Sequence, residues 1–114
     1  MAITGAHLLF YTPEAEALRK TLGDVFGWSG VDAGGGWMIY ATPPGEIGVH
    51  PGDKPGHQIS LMCDDLPKTI AELEAKGIEF KGEPHSEDFG HTAMMVLPGG
   101  VEVMLYEPLH PTAI

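Results

Sequence analysis

The sequence predicts an α+β domain in which two tandem βαβββ modules form a curved mixed sheet around a concave cavity. Three observations carry this. A strand-then-helix signal opens at residue 5 and returns about fifty residues later. Each copy is followed by three short strand candidates, and glycine-rich turns separate those candidates. With 114 residues the chain has the length of one domain. Residues 1–114 are therefore read as a single domain, with module one over about 1–52 and module two over about 53–114.

Residues 5–11 are a short apolar strand, and Thr12-Pro13-Glu14 is a helix start with a hydroxyl N-cap and proline in the first turn. Ala15, Leu18, Leu22, Val25 and Phe26 recur at the three-and-four spacing of one buried helix face, which ends near Gly27-Trp28. Strand candidates follow near 30–33, 37–41 and 46–50, with Gly34-Gly35-Gly36 as turn chemistry. Residues 52–56 have linker composition.

The pattern then repeats. Residues 56–63 are a strand, Asp64-Asp65-Leu66-Pro67 is a cap followed by proline, and Leu66, Ile70 and Leu73 mark a helix that stops at Gly77-Ile78. Strands are expected near 78–81, 91–97 and 101–106, with Pro98-Gly99-Gly100 as the last turn and residues 83–91 mostly a loop. One such module of about 55 residues has little to cover its sheet, so the copies are expected to pair, within one chain or between chains.

Sixteen acidic residues against six basic ones give a net charge of −10, which makes phosphate-backbone binding unfavourable and excludes nucleic acid as the expected partner. No apolar run approaches the ~20 residues needed to cross a bilayer. Met1 to Gly5 lack the basic start and apolar stretch of a signal peptide, so a cytoplasmic location is expected and a membrane partner is not. Cys63 is the single cysteine and lies in an apolar strand pattern, as a buried structural thiol would.

Taken in order, these pieces resemble the vicinal-oxygen-chelate superfamily, which includes glyoxalase I, extradiol dioxygenases, methylmalonyl-CoA epimerase, fosfomycin resistance enzymes and bleomycin-binding proteins. The resemblance rests on a strand with histidine at its start, a helix ending in Val25-Phe26-Gly27-Trp28, and the closing run from Leu97-Pro98-Gly99-Gly100 through Glu102, Tyr106 and Glu107-Pro108. It covers essentially the whole chain and implies a glyoxalase-like fold, while the family's many activities leave function open.

Metal-dependent members of that family draw one ligand from the first strand and one from the last strand of each module. The resemblance places His7 and His57 at the two first-strand positions, as ligands for zinc, iron, nickel or manganese. The last strands depart from the pattern: Met104 and Gly48 stand where the family has its ligand glutamates. Glutamates occur two residues earlier, at Glu46 and Glu102, a displacement of roughly 6.6 Å along a strand. Residues two apart share a strand face, so Glu46 and His50 point one way, as do Glu102, Met104 and Tyr106. Glu102 is thus a candidate ligand, and Glu46 and Glu102 are candidates for general base and acid. His50, Tyr40, His91, Met104 and Tyr106 are candidate substrate-pocket residues, although Trp37, Tyr40 and Tyr106 read first as strand aromatics that pack the core, with ligand stacking as the alternative.

Three readings follow: the leading one a metal-dependent enzyme, the alternative a binding protein, and the third a structural or regulatory protein that uses the fold only as a dimerisation scaffold. The paired histidines and displaced glutamates favour a divalent-metal-dependent lyase, isomerase or dioxygenase acting on a small molecule with neighbouring oxygens. The missing standard glutamates favour a metal-free protein that sequesters an aromatic or antibiotic-like compound in the groove of a homodimer.

Overall fold

Residues 7–46, 51, 53–54, 57–112 and 114 are described in the computed structural model of the chain. The first of these, residues 7–12, carry no regular element where a strand was expected. Leu8, Leu9 and Tyr11 are 47%, 50% and 85% exposed. An extended segment becomes a strand only when a neighbour satisfies its backbone, and no described strand pairs with it.

Thr12 sets the start of the first helix differently from a simple cap. Its Oγ1 accepts from the Glu14 amide at 3.2 Å and donates to the Pro98 carbonyl at 3.0 Å, tying this turn to a distant one. The helix α1, Ala15–Lys20, begins after Pro13 rather than on it and runs on through one π-helical turn, Thr21–Val25. That turn closes with the Phe26 amide donating to the Thr21 carbonyl at 3.0 Å. Leu18 is buried, and Leu22, Val25 and Phe26 pack beside it, as the spacing predicts.

Strands β1, Gly30–Asp32, and β2, Met38–Tyr40, pair antiparallel. Asp32 Oδ1 holds their connecting turn by accepting from the Gly34 and Gly36 amides at 2.8 and 3.2 Å. The strand expected at 46–50 falls, apart from Glu46, outside the described residues.

The second half is more regular. Strand β3, Ser60–Met62, leads into helix α2, Leu66–Ala75, whose N-cap Asp65 accepts from the Lys68 amide at 3.1 Å. The helix ends in a glycine cap: Gly77 donates to Glu74 and Ile78 to Leu73, both at 3.0 Å, with Gly77 at φ 91°. Strands β4, Glu79–Glu87, β5, Gly90–Leu97, and β6, Val101–Pro108, follow. The sheet order is β3-β6-β5-β4, with β3 parallel to β6 and the other pairs antiparallel. Strand β4 extends well past the predicted residue 81, because an irregularity between Lys81 and His85 lets pairing resume and turns the expected loop into a hairpin arm.

The curved sheet has two unlike faces. Ala93, Met95, Leu97, Val103 and Leu105 are buried with Leu18 of α1 and Leu66 of α2. The alternate positions Thr92, Met94, Val96, Glu102, Met104 and Tyr106 form the opposite face. The fold is therefore mixed α+β around a curved sheet, as expected.

Candidate small-molecule cavity

The parallel contact between β3 and β6 leaves β3 at the sheet margin, and an open cavity of about 1430 Å³ wraps that margin. Its walls are mainly apolar. Phe26 and Trp28 come from the end of the first helix, with ring centroids 5.2 Å apart. Ile59, Leu61 and Met62 come from β3 and its approach, and Tyr106 from β6. Residues 42–46 supply a further wall that ends in the half-buried Glu46.

Tyr106 is fixed on several sides. Its hydroxyl donates to the Phe89 carbonyl at 3.1 Å. Its ring lies 6.0 Å from Phe89 and 5.7 Å from His110, centroid to centroid. Burial pushes its phenol above the ordinary value of 10.0, and the negative charge of Glu46 adds to the rise. Among the residues proposed from sequence, Glu46 and Tyr106 are thus brought to one cavity. Met104 is beside it on β6, where its sulfur accepts from Gln58 Nε2 at 3.6 Å. Cys63 also lines the cavity, half-buried, and burial raises its thiol above 9.0.

The remaining candidates lie elsewhere. His7 and His57 are both exposed and sit in irregular segments. Glu102 is on the expected face of β6, but its carboxylate pairs with Lys81 Nζ at 3.1 Å across the sheet. Tyr40 packs against backbone: a Cβ at Gly30 would lie 2.8 Å from its ring, and one at Gly23 3.2 Å. His50 lies outside the described residues. His91 belongs to a second, smaller cleft, where its Nδ1 is 2.9 Å from Ser86 Oγ and its Nε2 is 4.0 Å from Glu107 Oε2. Among the described residues, no three His, Cys, Asp or Glu side chains are grouped so as to hold a metal ion. The donor set expected from sequence is therefore not assembled by them.

Sequence reasoning passed over Phe26 and Trp28 as pocket residues and Glu107 as a structural acceptor. The signal for the first pair was present in their position, two apart astride Gly27, which releases the chain from the helix at φ 74°.

This architecture matches solved structures at low sequence identity. An antibiotic-binding protein, TnmS3, from Streptomyces sp. CB03234 is 24% identical, with a TM-score of 0.66 over 95% of this chain and 98% of that one. A member of the glyoxalase/bleomycin resistance protein/dioxygenase superfamily from Sphaerobacter thermophilus DSM 20745 is 20% identical, with a TM-score of 0.64 over 94% and 98%. A lactoylglutathione lyase from Agrobacterium tumefaciens is 17% identical, with a TM-score of 0.61 over 86% and 88%. The chain has the glyoxalase-like fold of the vicinal-oxygen-chelate superfamily. No family model and no curated protein matches its sequence. Within the glyoxalase-like fold, then, the similarity shown lies in the backbone arrangement. No helix among the described residues is long and apolar enough to cross a membrane.

Proposed function

We propose that this protein binds and sequesters a small aromatic, antibiotic-like compound in the cavity at the β3 margin. The observation that carries the reading is the wall chemistry: the rings of Phe26, Trp28 and Tyr106 line a hollow whose walls are mainly apolar, the composition that holds flat organic ligands. The antibiotic-binding Streptomyces protein with the same fold supports it. Titration with planar aromatic compounds, followed by Trp28 fluorescence in a Trp37→Phe background, tests it. Saturable quenching that is lost in Tyr106→Ala is expected, and no saturable change with any such compound refutes the reading.

The arrangement we propose around this cavity is one domain of two modules, residues 1–52 and 53–114, in a cytoplasmic homodimer. The βαβββ order of β3, α2, β4, β5 and β6 supports the second module, and the exposed Leu8, Leu9 and Tyr11 support a partner surface. Sedimentation equilibrium tests the dimer.

A second reading is a divalent-metal-dependent lyase, isomerase or dioxygenase using His7 and His57, with Glu46 or Glu102 as base. The shared fold of the Agrobacterium lyase supports it. It requires ligands beyond the groupings found among the described residues. Metal analysis of the purified protein, with His7→Ala and His57→Ala as controls, decides it: stoichiometric metal lost in both variants is required.

A further inference from the structure

The chain that follows β6 keeps to the cavity. Pro108, His110, Thr112 and Ile114 all line it, every second residue in continuation of Tyr106 on the strand itself. Alternate side chains of an extended chain share one side, so the parity that turns Tyr106 toward the hollow carries on past the end of the sheet. Among the described residues the segment has one backbone anchor to the sheet's far hairpin, the Leu109 amide donating to the Phe89 carbonyl at 2.9 Å. Beyond that point the side chains bond locally: His110 Nδ1 lies 2.7 Å from the Pro111 carbonyl oxygen, and Thr112 Oγ1 donates to the Ile114 carbonyl at 2.8 Å. The half-buried His110 ring rests 5.7 Å from the Tyr106 ring, centroid to centroid. Ile114 is 57% exposed although it borders a mainly apolar hollow, so it still has apolar surface to bury.

We infer that this segment is a strap over the ligand site: His110, Thr112 and Ile114 contact the bound compound, and release requires the segment to swing aside from its Leu109 anchor. This rests on the small-molecule-binding reading above and adds to it the residues that hold the compound in. A flat compound stacked on Tyr106 has the His110 ring beside it, and Ile114 gives up its contact with water against the same apolar surface. These contacts form once the compound has entered and must break before it leaves. Their effect therefore falls on the dissociation rate and leaves association nearly as it was.

Stopped-flow fluorescence on the full chain, in the Trp37→Phe background, reads both rates with 9-anthracenemethanol, 1-pyrenemethanol and anthraquinone, and the tightest of these compounds is carried through the variants. Ending the chain after Leu109 is expected to speed dissociation at least about tenfold while association changes by less than about twofold. His110→Ala and Ile114→Ala are each expected to give part of that increase. Leu109→Ala trims a side chain that is 54% exposed and keeps the anchoring amide, so both rates are expected to stay as they are. Hydrogen exchange in the 109–114 peptide is expected to slow when the compound is bound. Urea denaturation confirms that each variant is folded, and the point variants carry the test should the shortened chain not fold. An unchanged dissociation rate in the shortened chain, equal effects of Leu109→Ala and His110→Ala, or exchange at 109–114 indifferent to the compound overturns the inference while sequestration stands. Failure of all these compounds to bind overturns both.

Discussion

The Tyr106 ring lies over Gly90, its place secured by the hydroxyl's bond to the Phe89 carbonyl. A side chain at residue 90 would collide with that ring and come within 2.6 Å of the Glu107 carbonyl oxygen. Gly90→Ala is therefore expected to displace Tyr106 from the cavity wall. The cost is about 1–3 kcal/mol, the usual scale of overpacking, with a parallel loss of aromatic ligand affinity. Urea denaturation and ligand titration on the same variant check both, and an unchanged midpoint contradicts the contact.

Glu107 joins the end of β6 to the start of α2, its Oε1 accepting from the Leu66 amide at 2.6 Å. Because Leu66 is buried, water cannot readily replace that acceptor. Glu107→Ala is expected to lose roughly 1.5–3 kcal/mol, as for a hydrogen bond to a charged group. Glu107→Gln, which keeps an acceptor oxygen, loses less, and the order of the two midpoints in urea is the measurement.

Met95 is 0% exposed at the centre of the helix-covered face. Met95→Ala opens a cavity there and is expected to cost about 2–5 kcal/mol. Thermal and urea unfolding should agree on the loss, while secondary structure by circular dichroism stays native below the transition.

The Cys63 thiol is raised above 9.0, chiefly by burial. Less thiolate is present at any given pH, so alkylation by iodoacetamide near neutrality should run slower than that of a free cysteine peptide. The sign for stability follows from the same shift. The folded chain holds this proton more tightly, so the contribution is complete below about pH 9 and declines as pH rises through the elevated folded value. Cys63→Ser is expected to flatten that alkaline decline in urea midpoints measured between about pH 8 and 10.

Glu102 pairs with Lys81 in an exposed setting, the two side chains being 45% and 65% accessible. Glu102→Ala is expected to change stability by no more than about 1 kcal/mol. A double-mutant cycle with Lys81→Ala would measure the coupling, which should shrink further at high salt.

Much of the second half was legible because two independent signals agreed there. Alternating burial along residues 93–97 and 102–105 matches period-two hydrophobicity, and Asp65 and Gly77 mark both ends of α2. The same parity correctly put Glu102, Met104 and Tyr106 on one face. The reading failed where a local pattern needed a distant partner. Residues 7–12 have a strand's apolar content, yet among the described residues nothing pairs with them. Residues 83–87 looked like a loop because Gly82, Pro84 and His85 break the alternation, although pairing resumes beyond them, with His85 opposite Thr92. His91 was read as a substrate-pocket residue, and that continued hairpin carries it to Ser86 and Glu107, in the second cleft. The bond from Glu107 to Leu66 spans 41 residues and has no local signature at all.

Leu18 has a consequence for the architecture. It is the one buried core hydrophobic that the described residues before 57 contribute; the other seven of that cluster follow residue 65. Severing the chain between the halves would thus leave a C-terminal fragment with its strands and second helix but without Leu18 and the partly buried Phe10, Leu22, Val25 and Phe26 that pack against the same core. The earlier half serves as a plug and the later half as the socket, so the two are not interchangeable tiles, however alike their sequences read.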